Sequence, residues 1–301
     1  MSSIKNVVLA GASGNLGPSI LTALINAGTF NITVFKRIGS KSTFPSSVAV
    51  EEVDYTSLSS LTTALTGADA LISTLAAEAF PLQDVLVDAA IAAGVQRFLP
   101  SEFGSDISNP NTQQLPVFAA KVKLNAYLAE KAKTSSLTYT LVRNSGFLDW
   151  GVKVGFLIDS KSGSPHIYDG GNKPFSVTTL ATVGEAVVGV LNHPEETKNR
   201  AVYIQDAVLT QNQLLEIVKK VTPGSEKWTP VPVSTEEAVK VSYERLAKHL
   251  YDAETFVPFI LRSIFAEEYG GEFKNLDNEL LGLKGKTDAE VEAIVKSALG
   301  L

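Results

Sequence analysis

The sequence predicts an α/β fold: a Rossmann-type, doubly wound parallel sheet carrying a smaller, mixed but mainly helical C-terminal lobe. Three observations predict it. Short β-rich runs alternate with longer helical patterns through the first half of the chain. The opening strand is a continuous apolar run, as expected of a strand covered on both faces. A turn with evenly spaced glycines then separates that strand from the first helix.

The elements follow in order. Val7-Val8-Leu9-Ala10 is the first strand; it breaks at Gly11, and residues 18–27 continue as an apolar helix. Asn31-Ile32-Thr33-Val34-Phe35 is rich in β-branched residues and reads as the second strand. Val48-Ala49-Val50 is the third, and residues 58–65 after it have helical period. Ala70-Leu71-Ile72-Ser73-Thr74 is the fourth, with a helix over 83–93. Arg97-Phe98-Leu99-Pro100 is the fifth and precedes a long helix over 117–133; residues 138–142 form the sixth. Strict alternation of this kind implies parallel strands joined by right-handed crossovers.

Beyond residue 150 the pattern loosens. Residues 159–165 and 169–174 are turn-rich, and residues 182–191 are helical and expected to return to the first sheet. Residues 211–221, 235–251 and 287–299 have helical periodicity, the last opened by a capping box, Thr287-x-x-Glu290. The expected organisation is a sheet domain over 1–150, rejoined by 175–205, with 151–174 and 206–301 forming a substrate lobe. That lobe belongs over the strand ends, where such sheets bind ligands.

Composition narrows the function. The 301 residues are 45% hydrophobic and 19% charged, an ordinary globular balance. Net charge is −6 and the 26 basic residues are scattered, which speaks against nucleic acid as a partner. There is no cysteine, so disulfides, thiolate catalysis and thiolate metal sites are excluded. The three histidines, His166, His193 and His249, lack ligand spacing, and no metal is expected. Met1-Ser2-Ser3 leads into the first strand without a cationic leader, and no apolar stretch is long enough to span a bilayer. A cytoplasmic chain, monomeric or homodimeric, is expected.

Gly11-Ala12-Ser13-Gly14-Asn15-Leu16-Gly17 carries the chemistry. Glycine lets the backbone turn tightly and approach a diphosphate, while free N–H groups at the helix start hold the anion. Its place between strand and helix separates this run from a merely flexible turn and points to a dinucleotide. The end of the second strand tells which one. NAD sites tend to place an acid there for the ribose hydroxyls, and NADP sites a basic residue for the extra phosphate. This chain has Lys36-Arg37, then Lys41, and no acid in that stretch. NADP(H) is the expected cofactor.

Two lysines compete for the proton-transfer role. Tyr127-Leu-Ala-Glu-Lys131 matches the Tyr-x-x-x-Lys pattern of short-chain dehydrogenases, but it sits well into its helix, away from the strand ends. At about 100° per residue, Tyr127 also points away from the direction of Lys121. Lys121 lies near the helix start, just after the loop 109–116. A lysine there, partly desolvated, can trade protons.

Four segments resemble the NmrA-like and isoflavone-reductase-like group of atypical short-chain dehydrogenases, which includes pinoresinol–lariciresinol and phenylcoumaran benzylic ether reductases. They are Gly11 to Gly17, residues 70–75, Gly94-Val-Gln-Arg-Phe-Leu-Pro-Ser-Glu-Phe-Gly104, and Val117-Phe-Ala-Ala-Lys121. The likeness is good over residues 4–205 and loose beyond. It implies NADPH as reductant and Lys121 as the essential lysine, with Val117 where the tetrad tyrosine would stand. It further implies that Gly11, Ser13, Gly14, Asn15, Leu16 and Gly17 hold the pyrophosphate and Arg37 the 2′-phosphate. Thr74, Leu75 and Phe103 would line the path from adenine to nicotinamide, and Ser145-Gly146-Phe147 would flank the latter. Arg143 departs from the small residues found there in the plant enzymes, as does the stretch 122–127 after the lysine.

The leading expectation is therefore an NADPH-dependent reductase of a small aromatic or conjugated compound of secondary metabolism. Lys121 would supply or remove the proton, and Phe147, Trp150, Phe156, Phe256, Phe259 and Phe265 would shape the pocket. The rival expectations are an NADP(H)-sensing regulator without turnover, and a non-redox cyclase or isomerase on the same fold.

Overall fold

The computed structural model describes residues 3–301. The first half folds as β1 (Asn6–Ala10), α1 (Gly17–Ala27), β2 (Asn31–Arg37), β3 (Ala49–Val53), α2 (Leu58–Ala64), β4 (Ala70–Ser73), α3 (Leu82–Ala92), β5 (Arg97–Leu99), α4 (Ala119–Thr134) and β6 (Thr138–Arg143). The six strands stand in the order β6-β5-β4-β1-β2-β3, all parallel, so the predicted doubly wound sheet is present. The reason β1 reads as an unbroken apolar run is now visible. Its side chains alternate between two cores: Val7 and Leu9 pack with Ile20 and Leu24 on one face, Val8 and Ala10 with Leu61, Leu86 and Leu124 on the other. The edge strand β3 is exposed over most of its length and carries Glu51 and Glu52, charges that discourage further strand pairing.

The second half folds as β7 (Gly146–Phe147), α5 (Leu148–Lys153), β8 (His166–Tyr168), β9 (Pro174–Thr178), α6 (Leu180–Asn192), β10 (Arg200–Tyr203), β11 (Ala207–Thr210), α7 (Gln211–Val221), β12 (Val231–Val233), α8 (Thr235–Ala247), α9 (Ala253–Phe265) and α10 (Asp288–Ala298). β10 joins the large sheet beside β6 as a seventh parallel strand. α6 lies along α1, so close that a Cβ on Gly184 would stand 2.7 Å from the Ser19 carbonyl oxygen. α6 and β10 lie with the first sheet, and β9 does not. β9 pairs instead with β7 and β11 in a three-stranded sheet, because its Phe175 and Val177 belong to the core of the second lobe. Leu281 and Leu283, far along the chain, pack back into the first core.

One helix differs from the sequence reading. The expected span 235–251 ends at Ala247: His249 takes a left-handed φ of 58°, and the chain re-enters helix at α9. Asp252 makes the restart, its side chain accepting from the Thr255 N–H at 2.9 Å. The α9 helix was not anticipated. Phe118 at the approach to α4 packs with Val239 and Phe259, so α8 and α9 rest on the start of α4. Among the described residues no helix is long and apolar enough to cross a membrane.

Candidate active site

The glycine run forms the turn between β1 and α1, and its three glycines are not equally required by the fold. A Cβ on Gly11 (φ 87°) would lie 2.7 Å from Thr74 backbone atoms, and one on Gly17 would lie 2.3 Å from the Gly11 carbonyl oxygen. Both keep the turn closed. A Cβ on Gly14 would meet nothing nearer than 3.4 Å, so the fold does not require that glycine. Gly14 donates to the Gly11 carbonyl at 3.0 Å, while the N–H groups of Ser13, Asn15 and Leu16 have no backbone partner among the described residues. Leu16 itself is anchored in the first core. A rigid turn with open donors at a helix start is suited to an anion.

The turn opens into a groove of about 760 Å³, walled by Gly11, Ala12, Ser13, Gly14, Arg37, Thr74 and Leu75 among others. Thr74 is fixed by its own hydroxyl, which donates to the Ala10 carbonyl at 3.0 Å, and the Leu75 carbonyl accepts from Ser101 Oγ at 2.8 Å. At the end of β2 the two basic residues part company. Lys36 pairs with Glu52 at 2.7 Å, whereas Arg37 is exposed and makes no ion pair among the described residues. Lys41 lies exposed on the following loop, outside the groove wall. The absence of an acid held only for the β2 stretch, because the fold brings Asp54 onto the groove wall from the end of β3. Its carboxylate accepts from the Thr56 hydroxyl at 2.7 Å and the Thr56 N–H at 2.9 Å, bonds that hold it below the usual carboxylate range. Tyr55, unremarked in the sequence, is buried beside it and donates to the Phe35 carbonyl at 3.2 Å.

Asn15 does not line that groove. With Gly14 it lines a second cavity of about 810 Å³, bounded by Asp149, Trp150, Lys153, Leu180 and Lys286. Phe103 is buried in the first core, and its main chain is what reaches the site. Ser145 (φ 52°) is buried; its hydroxyl donates to the Gly271 carbonyl at 3.1 Å and its N–H to the Gly104 carbonyl at 2.9 Å. Gly146 and Phe147 form β7, and Phe147 meets Trp150 edge to face at 6.4 Å, with Phe156 on the other side of that indole. Phe259 and Phe265 are core residues, not pocket walls.

Lys121 stands in the first turn of α4 beyond the end of β5. Its Nζ donates to the carbonyl of Glu102 at 2.6 Å and to that of Phe103 at 2.9 Å, with the Phe80 ring 5.8 Å away. Burial pulls its pKa down; Glu102 opposes that shift and Arg143 adds to it. The Tyr127–Lys131 pair behaves differently. Tyr127 donates to Asp88 at 2.6 Å and Lys131 bridges the same carboxylate at 2.8 Å, tying α4 to α3 away from the strand ends.

The sequence marks Arg143 as a departure and carries Glu102 in a motif, but it does not show that the two pair behind Lys121. Glu102 is 1% exposed and Arg143 2%. Arg143 Nη2 reaches Glu102 Oε1 at 3.2 Å, Arg143 Nη1 pairs with Asp106, and Asn125 Nδ2 donates to Glu102 Oε1 at 3.2 Å. The one available signal was charge in apolar surroundings: Arg143 ends an apolar strand, and Glu102 follows Leu99-Pro100 closely.

The model of the NmrA-like family matches residues 3–257. Oxidoreductase aprR of Aspergillus flavus is 36% identical over 298 residues, covering 96% of this chain and 98% of that protein. Oxidoreductase poxI of Penicillium oxalicum is 34% identical over 304 residues, covering 95% and 92%. The solved complex of AtPrR2 with NADP+ and (+)-pinoresinol shares the fold at a TM-score of 0.77 and 22% identity, covering 99% of both chains. The chain therefore belongs to the NmrA-like family and is one of its oxidoreductases.

Proposed function

We propose that this chain is an NADPH-dependent reductase of a small aromatic or otherwise conjugated metabolite, with Lys121 giving or taking the proton. The cradle at residues 13–17 would hold the diphosphate and Arg37 the 2′-phosphate, in keeping with the NADP+ complex of the structural relative AtPrR2. Bound there, NADPH would supply the hydride. The chain's own residues have the proton.

The observation that carries this reading is the pinning of Lys121 Nζ by two backbone carbonyls. An ammonium has three donors, and two are committed to atoms that cannot move far. The remaining vertex carries a proton when the group is charged and a lone pair when it is neutral, so one geometry serves a general acid and a general base. Burial, by lowering the pKa, brings that exchange nearer to working pH. An exposed surface lysine has neither feature. The test is NADPH consumption with a panel of conjugated phenolics and enones. Lys121→Ala should lose roughly 10²–10⁴-fold in kcat while binding NADPH with little change. Equal turnover by the variant and the parent enzyme would overturn the assignment.

A further inference from the structure

Among the described residues, six buried side-chain atoms without a hydrogen-bond partner belong to residues near the C-terminal edge of β4–β6: Ser73 Oγ, Gln83 Nε2, Glu102 Oε2, Asn125 Oδ1, Arg143 Nε and Asn144 Oδ1. Such atoms are costly inside a protein, and their gathering at one edge marks a region built for something other than stability. At its centre lies Glu102. Its Oε1 takes the bonds from Arg143 and Asn125, while Oε2 is buried with none.

The charges of this region form a closed set. Glu102 comes from the turn after β5 and Asp106 from the loop that continues it, Arg143 from β6 and Lys121 from α4. Tyr203 on β10 completes the surround: its hydroxyl lies 3.1 Å from Asp106 Oδ1 and its ring 5.9 Å from the Arg143 guanidinium. Desolvation keeps that phenol protonated. Burial pushes the Glu102 carboxyl up, while Lys121, Arg143 and the Asn125 hydrogen bond pull it back toward the carboxylate. With Glu102 and Asp106 as carboxylates and Arg143 charged, the set is neutral when Lys121 is an ammonium and carries a net negative charge when it is an amine. A net charge held out of water is expensive, so the neutral state is favoured.

We propose that Glu102 is a positioning residue for Lys121: anchored by Arg143 and Asn125, it supplies the counter-charge that keeps Lys121 loaded with the proton it donates, and draws a proton back to Lys121 after each turnover. Asp106, whose side chain is 19% exposed, joins the set to solvent through Ser108, a donor at 2.6 Å. The inference rests on Lys121 as the proton-transfer group only for its catalytic consequence. The electrostatic coupling stands apart from it.

The experiment is a titration of isotope-labelled lysine by NMR, with Lys121→Arg used to assign the Lys121 signal. In Glu102→Gln the hydrogen-bonding shape is retained and one negative charge is lost. The Lys121 midpoint should fall by about one pH unit or more, and the alkaline limb of the kcat profile should move with it, with KM for NADPH unchanged. If Glu102→Gln does not fold, Asp106→Asn removes a charge at the rim of the same set and should shift the midpoint in the same direction by less. A midpoint that stays put in the folded variant overturns the inference. A midpoint that moves while the kcat profile does not would uphold the coupling and refute Lys121 as the proton donor.

Discussion

Gly14→Ala separates a phosphate cradle from a tight turn, because the structure gives opposite expectations for the two. The added Cβ would sit 3.4 Å from the Gly11 carbonyl oxygen and 3.8 Å from that of Thr74, and Gly14 does not have positive φ. The folded state therefore absorbs the methyl with at most a slight shift. The unfolded chain meanwhile loses freedom, which favours folding by about 0.4–1 kcal/mol at compatible sites. The melting temperature should hold or rise slightly. Ligand binding should go the other way, since Gly14 lines the groove beside the open N–H groups. A methyl that keeps the diphosphate from one charge-assisted hydrogen bond forfeits about 1.5–3 kcal/mol, or roughly 10- to 150-fold in Kd. NADPH fluorescence titration beside a thermal melt reads both quantities. Gly17→Ala is the contrasting control: a Cβ 2.3 Å from a backbone oxygen should damage the fold itself. Tight NADPH binding by a stably folded Gly14→Ala would refute the cradle.

Two further outcomes follow from single side chains. Arg37 is exposed and makes no ion pair among the described residues, so Arg37→Ala should leave the melting temperature alone. It should weaken NADPH about tenfold or more while sparing NADH, measured by parallel titrations; equal losses for the two would remove Arg37 from the 2′-phosphate. Asp252 is held below the usual carboxylate range by Arg245 first and then by the Thr255 N–H. A carboxyl whose folded pKa is depressed contributes stability above its unfolded pKa and loses it as pH falls through the folded value. Asp252→Asn should therefore lower the melting temperature at neutral pH and converge with the parent protein in acid. Parallel melting curves across pH would contradict that account of the cap.

Much of the fold was legible in the sequence because local rules and tertiary demand coincide there. The apolar run of β1 and the glycines after it report burial on two faces and a closed turn, and both are short-range facts. The same logic placed the capping box at Thr287, where Thr287 and Glu290 exchange bonds as expected. The second lobe was less legible. α9 holds Pro258 in its interior, a residue that read locally speaks against a helix, and β7, β9 and β11 are strands only because distant segments pair with them.

For the site, the sequence by itself determined the glycine turn, the basic end of β2 and a lysine at the start of α4, since each is written in adjacent residues. Only the tertiary structure decided what surrounds them. It brought Asp54 to the groove, paired Lys36 with Glu52 and left Arg37 exposed without an ion pair among the described residues, and it joined buried Glu102 and Arg143 to the partly exposed Asp106 behind Lys121. Those partners come from separate strand ends and loops. Their charges act through space in a water-poor interior, so neighbouring residues can mark each charge but not its partner.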